Sequence, residues 1–468
     1  MNKPYVHLLD TIYGNYVFEV NQNILFTVDN EIYKELKSVL NTPVFEGYSA
    51  HQETLFAPLL KQGYLSDKRV EKIEHPSTRK LKALLDRKLE TLTLQVTQGC
   101  NLRCSYCIYS EKNNEKQRTH SSQTMSFQTA KKAIDFFFDH AIDTEEVVIG
   151  FYGGEPLVAF DLIKRIAKYV KEISVGKTVY YTITTNGTLM TDEIIDFLVK
   201  NNVILLVSVD GPEEIHDLNR RFAKTGEGSF QTIRENLLRI KNTDEEYFKR
   251  IAVNMVIDPQ NDYDLINSIF QDNPELEQLT ITGTLMDDFY SNQKTIESPM
   301  YVIRDRYEKT LAILEDLGEI AGVKISPRGR EYVGSLNASI DIKRKTVSLA
   351  ETSAPSGTCI PGQSKLFVNV FGICYPCERV SETSEVMQIG NIYDGFDLDK
   401  VNAILNLGQL TEDTCRDCWC FTNCKICAHG VDNGVELSGE LKLSQCDAVK
   451  FDVENELRFE IMKEEIRA

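Results

Sequence analysis

No apolar run in this 468-residue chain approaches the ~18 to 20 residues that a membrane-spanning helix needs, which excludes a helical membrane protein. The opening MNKPYVHLLDTIYGNYVFEV lacks both the apolar centre and the small-residue cleavage site of a secretory signal, so the expected compartment is the cytoplasm. Positive charge is also short: 52 Lys and Arg against 70 Asp and Glu leave a formal charge of −18. Sequence-independent nucleic-acid binding needs a basic face to displace counterions, and this balance argues against one. Neither membrane nor nucleic acid is expected as a partner, which leaves peptides and small molecules. Cysteine, by contrast, is plentiful. Twelve thiols in a reducing compartment are poor material for structural disulfides, and cofactor ligation is the better reading. The length exceeds the roughly 250 to 300 residues at which a single core stops growing, so two or three domains are expected.

Three patterns divide the chain. Short strands YVHLLD, NYVFEV and NILFTV, broken by YGN and NQN, precede helical stretches NEIYKELKSVL and ETLFAPLLKQG, the second with Leu55, Leu59 and Leu60 on one face and Gly63 as a stop. This predicts a small strand-and-helix domain over residues 1–80 that folds separately from the rest of the chain. From residue 90 to 325 the pattern is strand then helix, six times. The strands are TLTLQV, EVVIGFY, VYYTITT, VILLVSV, IAVNMVI and QLTITG, with helices such as QTAKKAIDFFFDHA, DLIKRIAKYVKEI and DEIIDFLVK between them. The fold class is therefore α/β, a parallel sheet closed part-way into a (β/α)6 barrel, whose chemistry belongs at the C-terminal ends of the strands. Periodicity weakens over residues 326–358, expected as a linker. Residues 359–448 form a cysteine-rich module, and 449–468 an amphipathic C-terminal helix.

Cys100, Cys104 and Cys107 in TQGCNLRCSYCIYS follow the first barrel strand, with no fourth cysteine or histidine beside them. Residues four apart reach at most about 14 Å, so the three can converge on one small object. Structural zinc takes four ligands, typically as two pairs. A cubane iron–sulfur cluster has irons that thiolates can hold one by one, so three cysteines leave one iron open for a substrate.

The spacing CxxxCxxC, with Tyr106 before the last cysteine, resembles the radical S-adenosylmethionine (SAM) superfamily. That resemblance implies that the open iron binds the amino and carboxylate groups of SAM's methionine and that reductive cleavage yields a 5′-deoxyadenosyl radical. It carries over to Gly153, Gly154 and Glu155 in FYGGEP, where the glycines let the backbone approach and Glu155 meets the methionine ammonium. Tyr106, Asn186, Ser208 and Asp210 would contact the cofactor, and Arg220 in HDLNRRF would pair with a carboxylate. Ordinary loop-capping residues would look the same at Asn186, Ser208, Asp210 and Arg220.

Read alone, Cys415-x2-Cys418 followed by Cys424-x2-Cys427 suits a zinc ribbon. With Cys359, Gly372 and Cys377 upstream and Cys446 downstream, the segment resembles the SPASM module of peptide-modifying radical SAM enzymes. The resemblance implies three 4Fe–4S clusters in all, one SAM-binding and two auxiliary. The second auxiliary cluster would take Cys415, Cys418, Cys424 and Cys446. The first would take Cys359, Cys377 and Cys427, with either an open iron or Cys374 as its fourth ligand. Cys420 lies outside the pattern as a buried thiol. Glu378 stands where some relatives carry an acidic base; a surface carboxylate paired with Arg379 or Lys365 is the alternative.

The N-terminal segment resembles the winged-helix element that grips the leader of a ribosomally made peptide on a sheet edge. Together these resemblances imply a radical SAM/SPASM peptide maturase of the sactipeptide or ranthipeptide type, which joins a cysteine sulfur to a carbon. Its partners would be a leader-bearing, cysteine-containing precursor peptide and an electron donor such as flavodoxin or ferredoxin. The alternatives are a maturase forming carbon–carbon or carbon–oxygen crosslinks, a formylglycine-forming sulfatase maturase, and a non-catalytic metal-binding scaffold.

Overall fold

The computed structural model describes residues 2–110, 116–291, 294–344, 348–355 and 359–467. The N-terminal strands β1 (Val6–Asp10), β2 (Asn15–Glu19) and β3 (Ile24–Val28) form an antiparallel sheet in that order. Helix α1 (Asn30–Asn41) buries Tyr33, Leu36 and Val39, three residues apart, as one face of a 3.6-residue repeat requires. Helix α2 (Ala50–Lys61) starts at a capping box in which Ser49 and Gln52 satisfy each other's backbone donors. Gly63, at φ +82°, follows its end. The wholly buried residue of α2 is Phe56, set against the Tyr48 ring at 5.2 Å, and not one of the leucines. Leu60 lies at the helix end and stays 39% exposed.

Strand β4 (Lys72–Ile73) and helix α3 (Leu81–Arg87) lead into the repeating units. These are β5 (Thr91–Thr97), α4 (Phe127–His140), β6 (Glu146–Gly153), α5 (Phe160–Ile173), β7 (Thr178–Thr185), α6 (Asp192–Lys200) and β8 (Ile204–Ser208). Helices α7 (Glu213–Asn219), α8 (Phe230–Thr243) and α9 (Glu245–Phe248) precede β9 (Ala252–Ile257), α10 (Tyr263–Asp272) and β10 (Thr280–Leu285). The six strands β5 to β10 run parallel in chain order, as the strand–helix alternation predicts. Side chains of Ser126, Thr191 and Asp262 cap α4, α6 and α10. In α5 the positions Ile163, Ile166, Ala167 and Val170 are buried, the spacing of a core-facing stripe.

After α11 (Pro299–Asp316), the expected linker is instead largely helix α12 (Pro327–Arg344). Its glycines and scattered polar residues hide the period in the sequence, but Val333, Leu336 and Ile340 pack against Ala312, Ile325 and Phe459, so tertiary burial holds it. The cysteine-rich module comes next, with β11 (Thr352–Ser353), β12 (Leu366–Val368), β13 (Ile373–Tyr375), β14 (Gly390–Asn391), β15 (Gly395–Phe396), α13 (Leu398–Leu405), α14 (Glu412–Arg416), α15 (Gly439–Ser444) and α16 (Cys446–Arg467). Strand β12 pairs parallel to β5, which extends the barrel sheet to ten strands.

The N-terminal segment has a core of its own around Val17, Leu36 and Phe56 and a second one that it shares with the module. Tyr5, Leu9, Tyr16, Phe18 and Val20 share one core with Cys415, Phe421, Leu457 and Ile461. Tyr5 Oη donates to the Cys418 carbonyl at 2.8 Å, Arg69 pairs with Asp417 at 2.8 Å, and β4 pairs with β11. The His7 ring stacks on Trp419 at 3.9 Å with 10° between planes. Because Trp419 is the single tryptophan, it reports on this junction alone. His7→Ala is expected to red-shift its emission and to cost about 1 kcal/mol in urea unfolding; an unmoved spectrum would show that the ring does not shield it.

Candidate active site at the C-terminal ends of the strands

Two glycines build the floor of the site. At Gly153, φ is +147°, and a Cβ there would lie 2.1 Å from the Thr97 carbonyl oxygen; one on Gly154 would lie 2.3 Å from that of Gly99. No side chain fits, so the end of β6 lies directly on the backbone leading into the cysteine loop. Gly154 N donates to Thr97 O at 3.0 Å and Glu155 N to Gly99 O at 2.9 Å. Cys100, Cys104 and Cys107 then line one cavity of about 280 Å³ with Tyr106, Gly153, Gly154, Asn186, Ser208 and Arg220.

Glu155 and Asp210 stand behind this cavity and do not line it. Glu155 is 1% exposed, and its carboxylate accepts from Leu157 N at 3.0 Å, Thr185 Oγ1 at 2.8 Å and Asn186 N at 2.7 Å. Burial pushes its carboxyl up to about 6, although those hydrogen bonds pull the other way. These bonds tie the end of β6 to the end of β7. Asp210 accepts from Tyr106 Oη at 2.5 Å, Arg220 Nε at 2.8 Å and Val256 N at 3.1 Å. It holds Tyr106 and Arg220 at the cavity wall, leaving the rest of the Arg220 fork for a carboxylate. Asn186 Nδ2 donates to Asn101 Oδ1 at 2.9 Å, and Asn101 in turn donates to Thr188 Oγ1 at 2.8 Å, which anchors the cysteine loop to the end of β7.

Burial pushes the Cys100 thiol up to about 12 and that of Cys104 to about 11, the latter partly offset by Arg220; Cys107 is raised as well. Such thiols become ligands when a metal supplies the compensating charge. Among the described residues no three Cys, His, Asp or Glu close around a single ion. Three thiols lining one cavity match a cluster whose irons each take one thiolate, whereas structural zinc takes four ligands. The donor set therefore fits a 4Fe–4S cluster.

The module's cysteines fall into two groups. Cys415 and Cys446 act electrostatically on Cys418, and Cys415 and Cys418 on Cys424. Cys427 acts likewise on Cys359 and Cys377, with Lys365 beside both. Cys374 joins neither. It is 0% exposed on β13 in the apolar core, and burial alone raises its thiol. Glu378 Oε1 accepts from Lys365 Nζ at 2.8 Å, while Oε2 is buried with no hydrogen-bond partner. Arg379 reaches Asp287 instead, at 4.0 Å.

Several residues facing the cavity carry no sequence signal of their own. His120 Nε2 is 3.8 Å from Cys107 Sγ, and Tyr109 and Tyr152 line the wall. Asp287, also in the wall, pairs with His429 of the module at 3.2 Å. Asp287 follows β10, the sixth barrel strand, so only the rule that chemistry gathers at strand ends could have flagged it. The buried pair Arg118–Glu382, at 2.6 Å, docks the module on the loop after β5.

Residues 94–270 match the family model described as the Radical SAM superfamily. They form a radical SAM domain. Such a domain implies SAM and one 4Fe–4S cluster. Among curated proteins, the chain is 28% identical over 282 residues to the radical SAM cyclopropyl synthase TigE of Paramaledivibacter caminithermalis, covering 56% of this chain and 58% of TigE. It is 34% identical over 156 residues to the serine-type anaerobic sulfatase-maturating enzyme of Bacteroides thetaiotaomicron, covering 33% of this chain and 37% of that one. The chain thus spans less than two thirds of the length of both relatives. The cysteine-type sulfatase-maturating enzyme of Clostridium perfringens is 25% identical, with 72% of this chain and 88% of that protein covered. The solved structure of native anSMEcpe with bound AdoMet and Cp18Cys peptide shares the fold, with a TM-score of 0.54, 20% identity, and coverage of 78% of this chain and 99% of that one. Among the described residues no helix is long and apolar enough to cross a membrane.

Asp210 and Arg220 form a pair 2% and 7% exposed at their side chains. Asp210→Ala would strand the guanidinium and is expected to destabilise the radical SAM domain by about 3–5 kcal/mol, read from urea unfolding. A loss below about 1 kcal/mol would mean that water reaches Arg220.

Proposed function

We propose that the chain is a radical SAM enzyme that modifies a ribosomally made peptide, joining a cysteine sulfur to a carbon as a thioether. The observation that carries this reading is the composition of the first auxiliary group. Cys427 acts electrostatically on both Cys359 and Cys377 while Cys374 is sealed in the core, which leaves three thiols for a group that could take a fourth ligand from substrate. Glu378 stands next to Cys377 with Oε1 held by Lys365 and Oε2 bare, in position to accept the proton that a substrate thiol must lose.

Cys100, Cys104 and Cys107, Cys359, Cys377 and Cys427, and Cys415, Cys418, Cys424 and Cys446 would each hold a cluster, and such clusters would supply one-electron chemistry for opening SAM and for the bond formation that follows. The chain's own residues bind, orient and exclude water. Arg220 and Ser208 face the cavity to receive SAM's carboxylate and sugar, Tyr106 is fixed by Asp210, and Asn186 keeps the cysteine loop in register. The Asp287–His429 pair joins the barrel to the module at the same cavity, where a peptide would lie between them. Strand β3, an edge of the N-terminal sheet, offers unpaired backbone to an extended leader.

Formylglycine formation is the second reading, favoured by the sulfatase-maturating relatives. Product analysis separates the two: a thioether leaves the peptide two hydrogens lighter with its thiol blocked, whereas formylglycine from cysteine releases sulfide. A new carbon–carbon bond beside an intact thiol would sink both.

Anaerobically reconstituted protein is expected to hold about twelve irons, falling to about eight with no 5′-deoxyadenosine when Cys100, Cys104 and Cys107 are replaced by Ala. Stoichiometric zinc in anaerobically purified protein would remove the auxiliary assignment. Cys374→Ala should keep all twelve irons; a loss of about four would make Cys374 a ligand after all. Adding a peptide with its acceptor cysteine should change the paramagnetic spectrum of the first auxiliary group, and the serine version should not.

A further inference from the structure

Lys442, on α15, is 2% exposed, a degree of burial that lysine shows almost only when paired. Its ammonium donates to Thr411 Oγ1 at 2.6 Å and to Cys415 Sγ at 2.9 Å. Among the described residues no carboxylate stands within ion-pair reach of it. A buried cation without a counter-charge is costly, by several kcal/mol in real proteins. The available counter-charge is the sulfur group itself. Lys442 draws the Cys424 thiol down against the effect of burial, and Cys446 Sγ lies 3.8 Å from the Lys442 carbonyl. Thr411, accepting from Lys442, keeps its own hydroxyl hydrogen for Cys415 Sγ, 3.3 Å away.

We propose that Lys442 is the charge-compensating residue of the second auxiliary site: its buried ammonium, hydrogen-bonded to the Cys415 sulfur, offsets the negative charge of a thiolate-held cluster and raises its reduction potential. This rests on the proposed function, in which Cys415, Cys418, Cys424 and Cys446 hold such a cluster. Reduction adds a negative charge, and a fixed cation in a low-dielectric setting favours the reduced form. Net charge and hydrogen bonds to sulfur are the levers by which a protein sets this potential. Lys450, half-buried on α16, also acts on Cys418 and supplements the effect. The first auxiliary group is built differently. Its cation, Lys365, has a side chain 40% exposed and is already engaged by Glu378 at 2.8 Å. The second site is therefore expected to have the higher potential of the two and to be the resting place of the electron released on bond formation.

The test is a redox titration followed by electron paramagnetic resonance on the full reconstituted chain, comparing native protein with Lys442→Gln and Lys442→Arg. Glutamine can keep a hydrogen bond to sulfur but removes the charge; arginine keeps the charge. In Lys442→Gln the second auxiliary midpoint should fall by the equivalent of at least a tenfold change in the oxidised-to-reduced ratio, about 59 mV for one electron, with the other two centres unmoved. Lys442→Arg should stay close to native. An unmoved midpoint in Lys442→Gln overturns the proposal. If Lys442→Gln instead loses about four irons, retention in Lys442→Arg supports the charge requirement, and loss in both reduces Lys442 to a packing role and overturns it. A native chain with no redox-active centre at these cysteines would overturn the cluster reading itself, a result distinct from a cluster whose potential ignores Lys442.

Discussion

The close approach of the β6 end to the cysteine loop is the contact on which the rest of the site depends. Gly153 and Gly154 set backbone on backbone, with carbonyl oxygens where any other residue would need its Cβ. That contact fixes where Cys100 begins, and Glu155 then fastens β6 to β7 through Thr185 and Asn186. Asn186 passes the constraint back to the cysteine loop through Asn101. The cavity wall is thus cross-tied through backbone and side-chain hydrogen bonds, the kind of support that positioning reactive groups requires.

Buried charge is handled differently in each part of the molecule. Around the first cavity, Arg220 is matched by Asp210, and at the docking face Arg118 is matched by Glu382. Beside Cys415, the buried Lys442 meets, among the described residues, a hydroxyl and a sulfur and no carboxylate. Ion pairs in low dielectric are neutral to folding at best unless geometry and further hydrogen bonds satisfy both partners. Asp210 meets that condition with donors from separate segments, Tyr106 Oη and Val256 N, whereas Glu382 accepts from Gln95 through Oε1 and, among the described residues, its buried Oε2 and Arg118 Nη2 have no hydrogen-bond partner. These pairs specify which segments meet more than they add stability.

The N-terminal sheet and the cysteine-rich module are coupled. His7 lies flat on Trp419, Tyr5 donates to the Cys418 carbonyl, and α16 carries Leu457 and Ile461 into the same core. An event at the N-terminal sheet therefore has a packed path to the segment from Cys415 to Phe421, and the two cannot be separated without exposing apolar surface.

Much of the architecture was legible in the sequence because its signals are local. The six strands β5 to β10 stand where alternation of strand and helix patterns put them, since burial on both faces demands continuous Val, Ile and Leu runs. The cysteine spacing and the GGEP turn likewise announced a ligand loop and a close backbone approach, because only certain residue types permit either. Tertiary structure decided what depends on distant partners. α12 exists because Phe459 and Ala312 cover it, Cys374 is buried in the core around β13, and Phe56 is the buried residue of α2 through its seat against Tyr48. The partners of Glu155 and Asp210, Asn186 N after β7 and Val256 N in β9, come from strands far away in sequence. Lys442 reads in sequence as one more surface lysine in LKLSQC, and only the folding of α15 against Thr411 and Cys415 buries it. Local pattern fixes which groups a segment can offer; desolvation and partner geometry, which are non-local, fix which of them are used.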